Sequence, residues 1–555
     1  MADRRRLSIV KFKPFAQTKP LVYNALIRTV GKKARQVSKP RPGSTGGLQA
    51  FLLPIGLTAG LVSLSFHSRI QSEPALVWSF WATSAALLTW QVALAWARQG
   101  RTAGVRMGQL RAQHYVQSCC QLAVYVYWGW FWPPVYAFAP LLVAQLVFAY
   151  AFDVLLTWSR REQYQVGFGP WPIVLSTNLF LWFKDEWFVF QFALIALGFL
   201  GKTFVRWERD GRRVHIFNPS AFTLAVFSLL LLVTGTTELT WGPEINTTFS
   251  LGPRIYTVLF AIGLVVMYFF AITAVTAAAA ATLFAASAIY LAITGIPYFV
   301  DSEIPSAVFL GLHLLVTDPS TSPRTPLGRG IFGVMYGLGV FALYAILGAL
   351  GLPTFYDKLL CVPLLNLSVP AIDRLVASIG ERPLLNRLGL EGPLGRANLA
   401  HMTAWILFFV VMTATGRTDG MHRGDALPFW EQACTAGRAQ ACDRLLRIEA
   451  SYCADNAGWA CNEVGRHYVE GRLVTSDVDR AFAYFSRACE ARFQAGCVNL
   501  LDPSAPSRAD PRALDLRLLL REGGPNLIDM PEPELYARAC RHGWTFACER
   551  QAAAR

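Results

Sequence analysis

Long apolar segments recur along most of the chain, and a short polar stretch separates each from the next. Many are close to the roughly 20 residues that a helix needs to cross about 30 Å of hydrocarbon. The pattern predicts an all-α fold, with a polytopic membrane domain of about 10 to 13 spans over residues 48–415. The predicted spans lie near 48–66, 75–96, 118–138, 140–158, 165–183, 187–205, 216–234, 255–275, 277–297, 305–317, 331–350, 357–371 and 397–415.

Three of these segments, 165–183, 305–317 and 357–371, are short or interrupted by Pro and Gly. Pro inside a helix removes a backbone hydrogen bond and favours a break. We therefore expect half-helices or re-entrant segments among them.

Cationic residues favour alternate loops. Residues 1–415 contain 33 Lys and Arg, of which 29 fall in the arm 1–47 or in the even-numbered loops between predicted spans. The opposite loops contain only Arg69, Lys184, Arg254 and Lys358. Because Lys and Arg accumulate in cytoplasmic loops, the pattern predicts a bacterial inner-membrane protein with a cytoplasmic N-terminus and a periplasmic C-terminal domain.

Composition supports a membrane protein over a nucleic-acid binder. Charged residues make up 16% of the chain, against about 25% in soluble domains. The net charge of +15 belongs to the apolar part, because residues 416–555 hold 18 Arg and 19 acidic residues. This pairing indicates lipid as a partner and no nucleic acid. The basic arm 1–47 either lies against anionic headgroups or only fixes orientation.

Eight of the eleven cysteines lie after residue 430, in four pairs of identical spacing. Seven intervening residues are too many for a zinc knuckle or an iron–sulfur cluster, and they suit two helix ends joined by a turn. An even count in an exported domain favours disulfides, with free thiols as the alternative. The expected pairs are Cys434–Cys442, Cys453–Cys461, Cys489–Cys497 and Cys540–Cys548.

The segment CNEVGRHYVEGRLVTSDVDRAFAYFSRACEARFQAGC, from Cys461 to Cys497, resembles a cysteine-rich Sel1-like repeat. The resemblance covers about 430–550, and solenoid repeats of this kind bury their cores by stacking. It implies a soluble α-helical Sel1/TPR-like domain over residues 416–555 that binds envelope proteins. We expect His467 to pack between repeats.

Two polar segments, RRVHIFNPSAF and TDPSTSPRTPLGRG, precede apolar helices. Asn or Ser can cap the first amides of a helix and Pro suits its first turn, so capping explains the first segment as well as ligand binding does. The second segment favours a broken helix whose amides face a polar or anionic ligand. The candidate cofactor-binding residues are His215, Asn218, Pro219, Asp318, Thr321 and Ser322.

The same segments resemble RnfD/NqrB membrane subunits, over about residues 185–375. The matching motifs are HIFNPSAF at 215–222, Thr-Asp-Pro at 317–319, Thr-Ser-Pro at 321–323, Pro-x-Gly at 326–328, Leu-Leu-Asn at 364–366 and Pro-x-Ile-Asp at 370–373. Members of this family are subunits of ion-pumping flavin/quinone complexes. The resemblance implies an electron-transfer subunit that works with other membrane redox subunits.

Members of that family attach FMN to Thr in a Ser-Gly-Ala-Thr motif, in the loop after the Asn-Pro element. The equivalent loop here, TGTTELTWGPEINTTFSLGPR, lacks Gly-Ala-Thr, so covalent FMN is not expected and Thr236 and Thr237 are not substitutes. FMN or quinone bound without a covalent link, and loss of redox function, both stay open. The alternative functions are a non-redox transporter or channel-like scaffold, and a membrane-anchored Sel1 interaction platform.

Other chemistry receives little support from the sequence. The membrane half contains no C-x-x-C-H and no Walker-type loop, which are the motifs of attached haem and of ATP-driven pumps. No catalytic residue or metal site is predicted. Asp153 lies within a predicted span, where a carboxylate favours a proton or ion path. The alternative is a side chain near the inner end of the span that snorkels to the interface or pairs with Arg160 or Arg161.

Overall fold

The structure is a computed structural model of the chain. It is mostly helical, with two small sheets. The described residues are 44–45, 49–97, 103–107, 112–160, 163–209, 211–250, 252–300, 302–379, 394–419, 422–454, 456–471, 473–491, 493, 496, 499, 537, 548 and 551–553.

Within these residues, sixteen helices build a large helical domain and four build a smaller tail. The helical domain contains α1 Gln49–Leu64, α2 Ser68–Gln71, α3 Pro74–Ala97, α4 Ala112–Phe131, α5 Pro134–Ala137, α6 Ala139–Arg160, α7 Pro170–Asn178, α8 Val189–Phe204, α9 Pro219–Thr234, α10 Gly242–Phe249, α11 Ile255–Phe270, α12 Thr273–Thr294, α13 Ser306–Leu314, α14 Pro326–Ala349, α15 Asp357–Ile379 and α16 Leu394–Ala414. The tail contains α17 Leu427–Thr435, α18 Ala441–Ala454, α19 Gly458–Glu470 and α20 Val478–Glu490.

Five helices in the described chain are long and apolar enough to cross a membrane. They correspond to Ala139–Arg160, Thr273–Thr294, Pro326–Ala349, Thr354–Ile379 and Ala397–Ala414. Four shorter apolar helices, Phe51–Leu64, Val189–Phe204, Pro219–Thr234 and Ile255–Phe270, accompany them. The chain is therefore compatible with association with a membrane.

Two of the three interrupted segments form short helices. α7 and α13 have nine residues each, and both begin beside a proline. The third segment, 357–371, belongs to α15, which continues for 23 residues through Pro363 and Pro370. Apolar helices tolerate Pro where neighbouring helices compensate, and α15 packs along α14.

The helical domain contains two repeats of five helices each, and the helices pack on one another in the same order in both repeats. In the first repeat, α4 and α6 pack on α7, α6 packs on α8, and α8 packs on α9. In the second, α11 and α12 pack on α13, α12 packs on α14, and α14 packs on α15. The short helix is the third element in both. The two repeats meet through α4 against α11 and through α9 against α15.

The repeats have opposite orientations. The Cys120 thiol of α4 lies 3.9 Å from the Ile262 carbonyl of α11. Further along α4, the Tyr127 hydroxyl donates to the Pro253 carbonyl, just before α11 begins. A later residue of α4 thus contacts an earlier position of α11, so these two helices are antiparallel. Because α4 and α11 are the first helices of their repeats, the repeats are inverted relative to each other.

Two small sheets correct the all-α prediction. β1 Ser44–Thr45 pairs antiparallel with β2 Ala103–Met107, which pairs parallel with β3 Gln163–Val166. β4 Arg206–Arg209 and β5 Arg212–His215 form an antiparallel hairpin. These strands have two to five residues, too few to show strand periodicity. The sequence pattern therefore assigned them to the basic arm and to loops, except for the end of β3, which fell in the predicted span 165–183. We call the end of the helical domain that carries this hairpin the sheet end.

The tail packs against the opposite end of the helical domain, which we call the tail end. Ile296, which follows α12, belongs to the same apolar core as Leu427, Trp430 and Leu445 of the tail. α14 has 24 residues and is therefore about 36 Å long. Its first residues lie at the sheet end, and its last turn accepts a hydrogen bond from Arg447 of the tail.

Charges at helix ends fix the tail in place. The Asp419 carboxylate accepts the backbone N–H groups of Tyr256 at 3.1 Å and Thr257 at 3.4 Å, at the start of α11. Arg438 donates to the Gly295 carbonyl at 2.6 Å, and Arg447 donates to the Gly348 carbonyl at 3.0 Å. An anion thus lies at a helix N-terminus and cations lie at two C-termini, which matches the helix dipoles.

Candidate functional site

A hydrogen-bonded polar cluster occupies the sheet end. Asn218 caps α9, since its Oδ1 accepts the Ser220 N–H at 3.0 Å and the Ala221 N–H at 3.3 Å. Its Nδ2 donates to the Leu315 carbonyl at 3.0 Å, just after α13. Pro219 is the buried first residue of α9, a position where its missing N–H costs nothing.

Asn366 of α15 joins this arrangement from the second repeat. Its Oδ1 accepts the Asn218 N–H at 3.2 Å, and its Nδ2 donates to the Thr321 carbonyl at 3.2 Å. Both Asn side chains are buried, and a buried polar group is stable only when hydrogen-bonded. The two amides therefore hold the start of α9 and the segment 315–325 together.

Asp318 organises the segment between α13 and α14. Its Oδ1 accepts the Ser320 hydroxyl at 2.6 Å and the Ser320 N–H at 2.9 Å. The Ser320 Oγ also lies 2.9 Å from Nε2 of His215, and Oδ2 of Asp318 lies 3.6 Å from that nitrogen. The hydroxyls of Thr321 and Ser322 donate to the Asp318 carbonyl at 3.4 and 2.7 Å.

The electrostatics of this segment favour a charged Asp318. Burial alone raises the pKa of its carboxyl group. The hydrogen bond and charge of His215, with the hydrogen bonds from Ser320, outweigh burial and hold the pKa below its usual value. Asp318 lies between α13 and α14, outside the helices that could cross a membrane.

Arginines secure the remainder of the segment. Both terminal nitrogens of Arg209 donate to the Ser322 carbonyl at 3.2 Å, and Nη2 lies 2.8 Å from Oδ2 of Asp373. The other Asp373 oxygen accepts the Arg324 N–H at 3.1 Å. Arg329 donates to the Pro323 carbonyl at 3.0 Å. The connection is thus bound to β4, α14 and α15.

The structure brings all six candidate cofactor-binding residues into this one cluster. The polar groups of Asn218, Thr321 and Ser322 bind neighbouring backbone, as described above. His215 and Asp318 keep about a fifth of their side chains exposed, at 22% and 21%. A ligand from outside can therefore reach these two side chains.

Asp153 lies apart from these contacts, on α6. Its electrostatic neighbour is Lys202 of α8. Arg160, one of the two expected partners, instead donates to the Thr203 carbonyl at 3.3 Å and covers the Phe204 ring at 4.8 Å. The other, Arg161, lies outside the described residues. The cation beside Asp153 comes from another helix of the first repeat.

A buried amide cluster was missed by the sequence analysis. Asn178, the last residue of α7, exchanges two hydrogen bonds with Gln145 of α6, at 2.7 and 3.1 Å. Gln191 of α8 donates to the same Asn178 oxygen at 3.0 Å. All three are completely buried. Uncharged amides inside apolar segments were the available signal, since polar groups at membrane depth require partners.

The two short helices meet near this cluster. Phe180 follows α7, and its ring lies 4.0 Å from the position that a Cβ on Gly311 of α13 would occupy. The Tyr336 hydroxyl lies 3.2 Å from the same position. The broken helices of the inverted repeats therefore come together inside the bundle.

Two of the four expected disulfides are present in full: Cys434–Cys442 and Cys453–Cys461. Cys489 and Cys548 are also disulfide-bonded. Their expected partners, Cys497 and Cys540, lie outside the described residues. His467 lies buried between α18 and α19, with Nε2 2.8 Å from the Glu449 carboxylate.

The fold defines a class: a mostly helical protein with inverted five-helix repeats, helices able to span a membrane and a disulfide-bonded helical tail. No group of three or more His, Cys, Asp and Glu that could hold a metal ion occurs in the described part of the chain. Comparison with protein-family models, curated proteins and solved structures finds no match to this chain.

Proposed function

We propose that this chain is an integral membrane subunit of an electron-transfer complex of the RnfD/NqrB type. The observation that carries the proposal is the convergence at the sheet end. The motifs that resemble the family are separated by up to about 150 residues, and residues from most of them lie in one hydrogen-bonded cluster. Asn218, Asp318, Asn366 and Asp373 come from four of these motifs and hold the same segment.

A flavin or quinone in this proposal is bound without a covalent link. The cluster has few free polar groups for a buried flavin ring, because Asn218, Thr321 and Ser322 already bind backbone. The residues fit a cofactor that contacts His215 and Asp318 from outside, at an interface with other redox subunits. When bound, such a group supplies electron transfer, while the charged Asp318 carboxylate and the His215 imidazole face it from the cluster.

The test is an absorbance and fluorescence scan of the purified full-length protein, before and after acid precipitation. A flavin spectrum that leaves with the supernatant, or a quinone recovered from the precipitate by organic solvent, supports the proposal. Protein without either cofactor, together with unchanged membrane redox activity after deletion of the gene, rejects it. The matched variants are His215→Gln, which changes a group facing the cofactor, and Arg213→Gln on the same strand. Only the first is expected to weaken the cofactor signal.

The second candidate is a transporter or channel-like protein without a redox cofactor. The inverted repeats favour it, since short helices at corresponding positions of two inverted halves often form a substrate site at the membrane midplane. Asp318→Ala is then expected to change solute or ion uptake in proteoliposomes while leaving every flavin signal unchanged. Unaltered uptake of all tested ions and solutes excludes this candidate.

The proposed location is the bacterial inner membrane, with the sheet end cytoplasmic and the tail periplasmic. The arginines of β4 and β5 at the sheet end support this orientation, and the disulfides at the other end suit an oxidising compartment. In this arrangement the Sel1-like tail is available to envelope proteins.

A further inference from the structure

The turn between α17 and α18 carries the contacts that dock the tail on α12. This turn, residues 436–440, presents Arg438 to the Gly295 carbonyl at 2.6 Å and Gln440 to the Tyr290 hydroxyl at 3.1 Å. Arg444, in the first turn of α18, donates to the Pro297 carbonyl. Its guanidinium lies 5.8 Å from the Tyr290 ring centre. The docked surface is therefore the last turn of α12 and the residues after it.

The Cys434–Cys442 disulfide closes this same turn. It joins the last turn of α17 to the first turn of α18, across a separation of 8 residues. Within the loop, Gln440 has a φ of 64°, which side chains other than glycine rarely adopt. Such a conformation persists only where its surroundings impose it, and Gln440 lies inside the loop that the disulfide closes.

The two complete disulfides differ in their access to solvent. Cys453 and Cys461 are both 0% exposed, whereas Cys434 and Cys442 are each partly exposed. Arg438 and Gln440 are also exposed. A reductant in solution therefore reaches Cys434–Cys442 first, since thiol–disulfide exchange depends on access to the sulfur atoms.

We propose that Cys434–Cys442 is a redox-controlled latch for docking of the tail. When oxidised, it holds residues 436–440 in the conformation that binds the end of α12. When reduced, it lets this loop leave its left-handed conformation, and the tail loosens from the helical domain. This inference does not depend on the electron-transfer function proposed above.

The partner is an envelope protein with a reactive dithiol. One thiolate of the partner attacks a sulfur of Cys434–Cys442, which breaks the S–S bond and forms a mixed disulfide. The second partner thiolate attacks that bond and releases the remaining cysteine. Two electrons pass to Cys434 and Cys442, two protons complete their thiols, and the partner leaves as a disulfide.

The experiment measures hydrogen–deuterium exchange of the full-length protein in lipid nanodiscs. Low dithiothreitol is applied, and alkylation with mass spectrometry identifies the cysteines reduced. We expect reduction at Cys434 and Cys442 before Cys453 and Cys461. Exchange at residues 290–298 is expected to rise at least about fivefold, which corresponds to about 1 kcal/mol. First reduction at Cys453–Cys461, or unchanged exchange at 290–298 with the first pair reduced, overturns the proposal.

Variants separate the latch from general loss of structure. Cys434→Ser combined with Cys442→Ser should show the raised exchange at 290–298 without reductant, and dithiothreitol should add nothing there. Arg438→Gln, which keeps the disulfide, should raise exchange at 290–298 while leaving α19 unchanged. If the double variant does not fold, the reduction of the wild-type protein decides alone. Equal exchange in the double variant and the wild type overturns the latch.

Discussion

The side chain of Asn366 accepts the backbone N–H of Asn218 at 3.2 Å across a sequence separation of 148 residues. Asn218 precedes the last helix of the first repeat, and Asn366 lies in the last helix of the second. Each side chain also donates to the segment between α13 and α14. One pair of amides thus ties both inverted repeats and the broken-helix connection together at the sheet end.

Replacing the Asn366 side chain should therefore lower the free energy of unfolding, because two buried groups lose their hydrogen-bond partner. Asn366→Leu leaves the Asn218 N–H and the Thr321 carbonyl buried without their partner. Because an unsatisfied buried group costs about 1 to 3 kcal/mol, we expect a loss of about 2 to 4 kcal/mol. Thermal unfolding in detergent measures it. Leu367→Ala is the control, since Leu367 is 54% exposed, and an equal fall in Tm for both variants contradicts the prediction.

The Asp318 carboxylate should make stability depend on pH. Its pKa in the folded protein lies below the ordinary value, which is about 3.9. Folding therefore favours the charged form, and this stabilisation is present above about pH 4 and lost as pH falls through the folded pKa. The Tm of the wild type should exceed that of Asp318→Asn near pH 6, and this difference should disappear below about pH 4. A Tm difference between the two proteins that does not change with pH contradicts this prediction.

Two glycines of α14 should respond oppositely to the same substitution. A Cβ on Gly333 would lie 2.3 Å from the Val275 carbonyl oxygen of α12, whereas a Cβ on Gly330 meets nothing within 4 Å. Gly333→Ala should separate the two helices and cost about 1 to 3 kcal/mol. Gly330→Ala should be neutral or stabilise by up to about 1 kcal/mol, through lower backbone entropy of the unfolded chain. Chemical unfolding of both variants checks the pair, and similar values contradict close packing at Gly333.

The proposed topology predicts labelling from opposite faces. Arg213→Cys lies on the hairpin at the sheet end, and Arg480→Cys lies on the tail, where that side chain is 66% exposed. In intact spheroplasts an impermeant maleimide should label Arg480→Cys, and Arg213→Cys should react only after lysis. The wild type supplies the background from its own thiols. If the maleimide labels both positions in intact spheroplasts, the sheet end and the tail do not face opposite sides of the membrane, and the proposed topology is rejected.

The sequence predicted the parts of the fold that repeat a simple pattern. The apolar segment at 331–350 corresponds to Pro326–Ala349, and the cysteine spacing identified two disulfides that the structure contains. Asn218, Asp318 and Ser322 were recognised as one group through motifs. Their mutual contacts were not, because a hydrogen bond over 148 residues leaves no local signal.

The remaining differences have physical causes. β2 and β3 have only five and four residues, so they show no alternation that distinguishes them from loops. The inverted repeats could not be predicted from the sequence, because the two repeats share their helix packing but not their residues. For example, α7 and α13 have the same length and a proline at the start, but few side chains in common. Lys202 could not be predicted as the charged neighbour of Asp153, because it lies on another helix and far away in sequence.

The tail hydrogen bonds described above reach the second repeat, at α11, α12, α14 and the residues after α12. Although the two repeats pack alike, these hydrogen bonds connect the second repeat directly to the tail. A protein that binds the tail and pulls on it would therefore act directly on the second repeat. Force applied to the tail would then reach the sheet end through α14, as a displacement of the second repeat relative to the first.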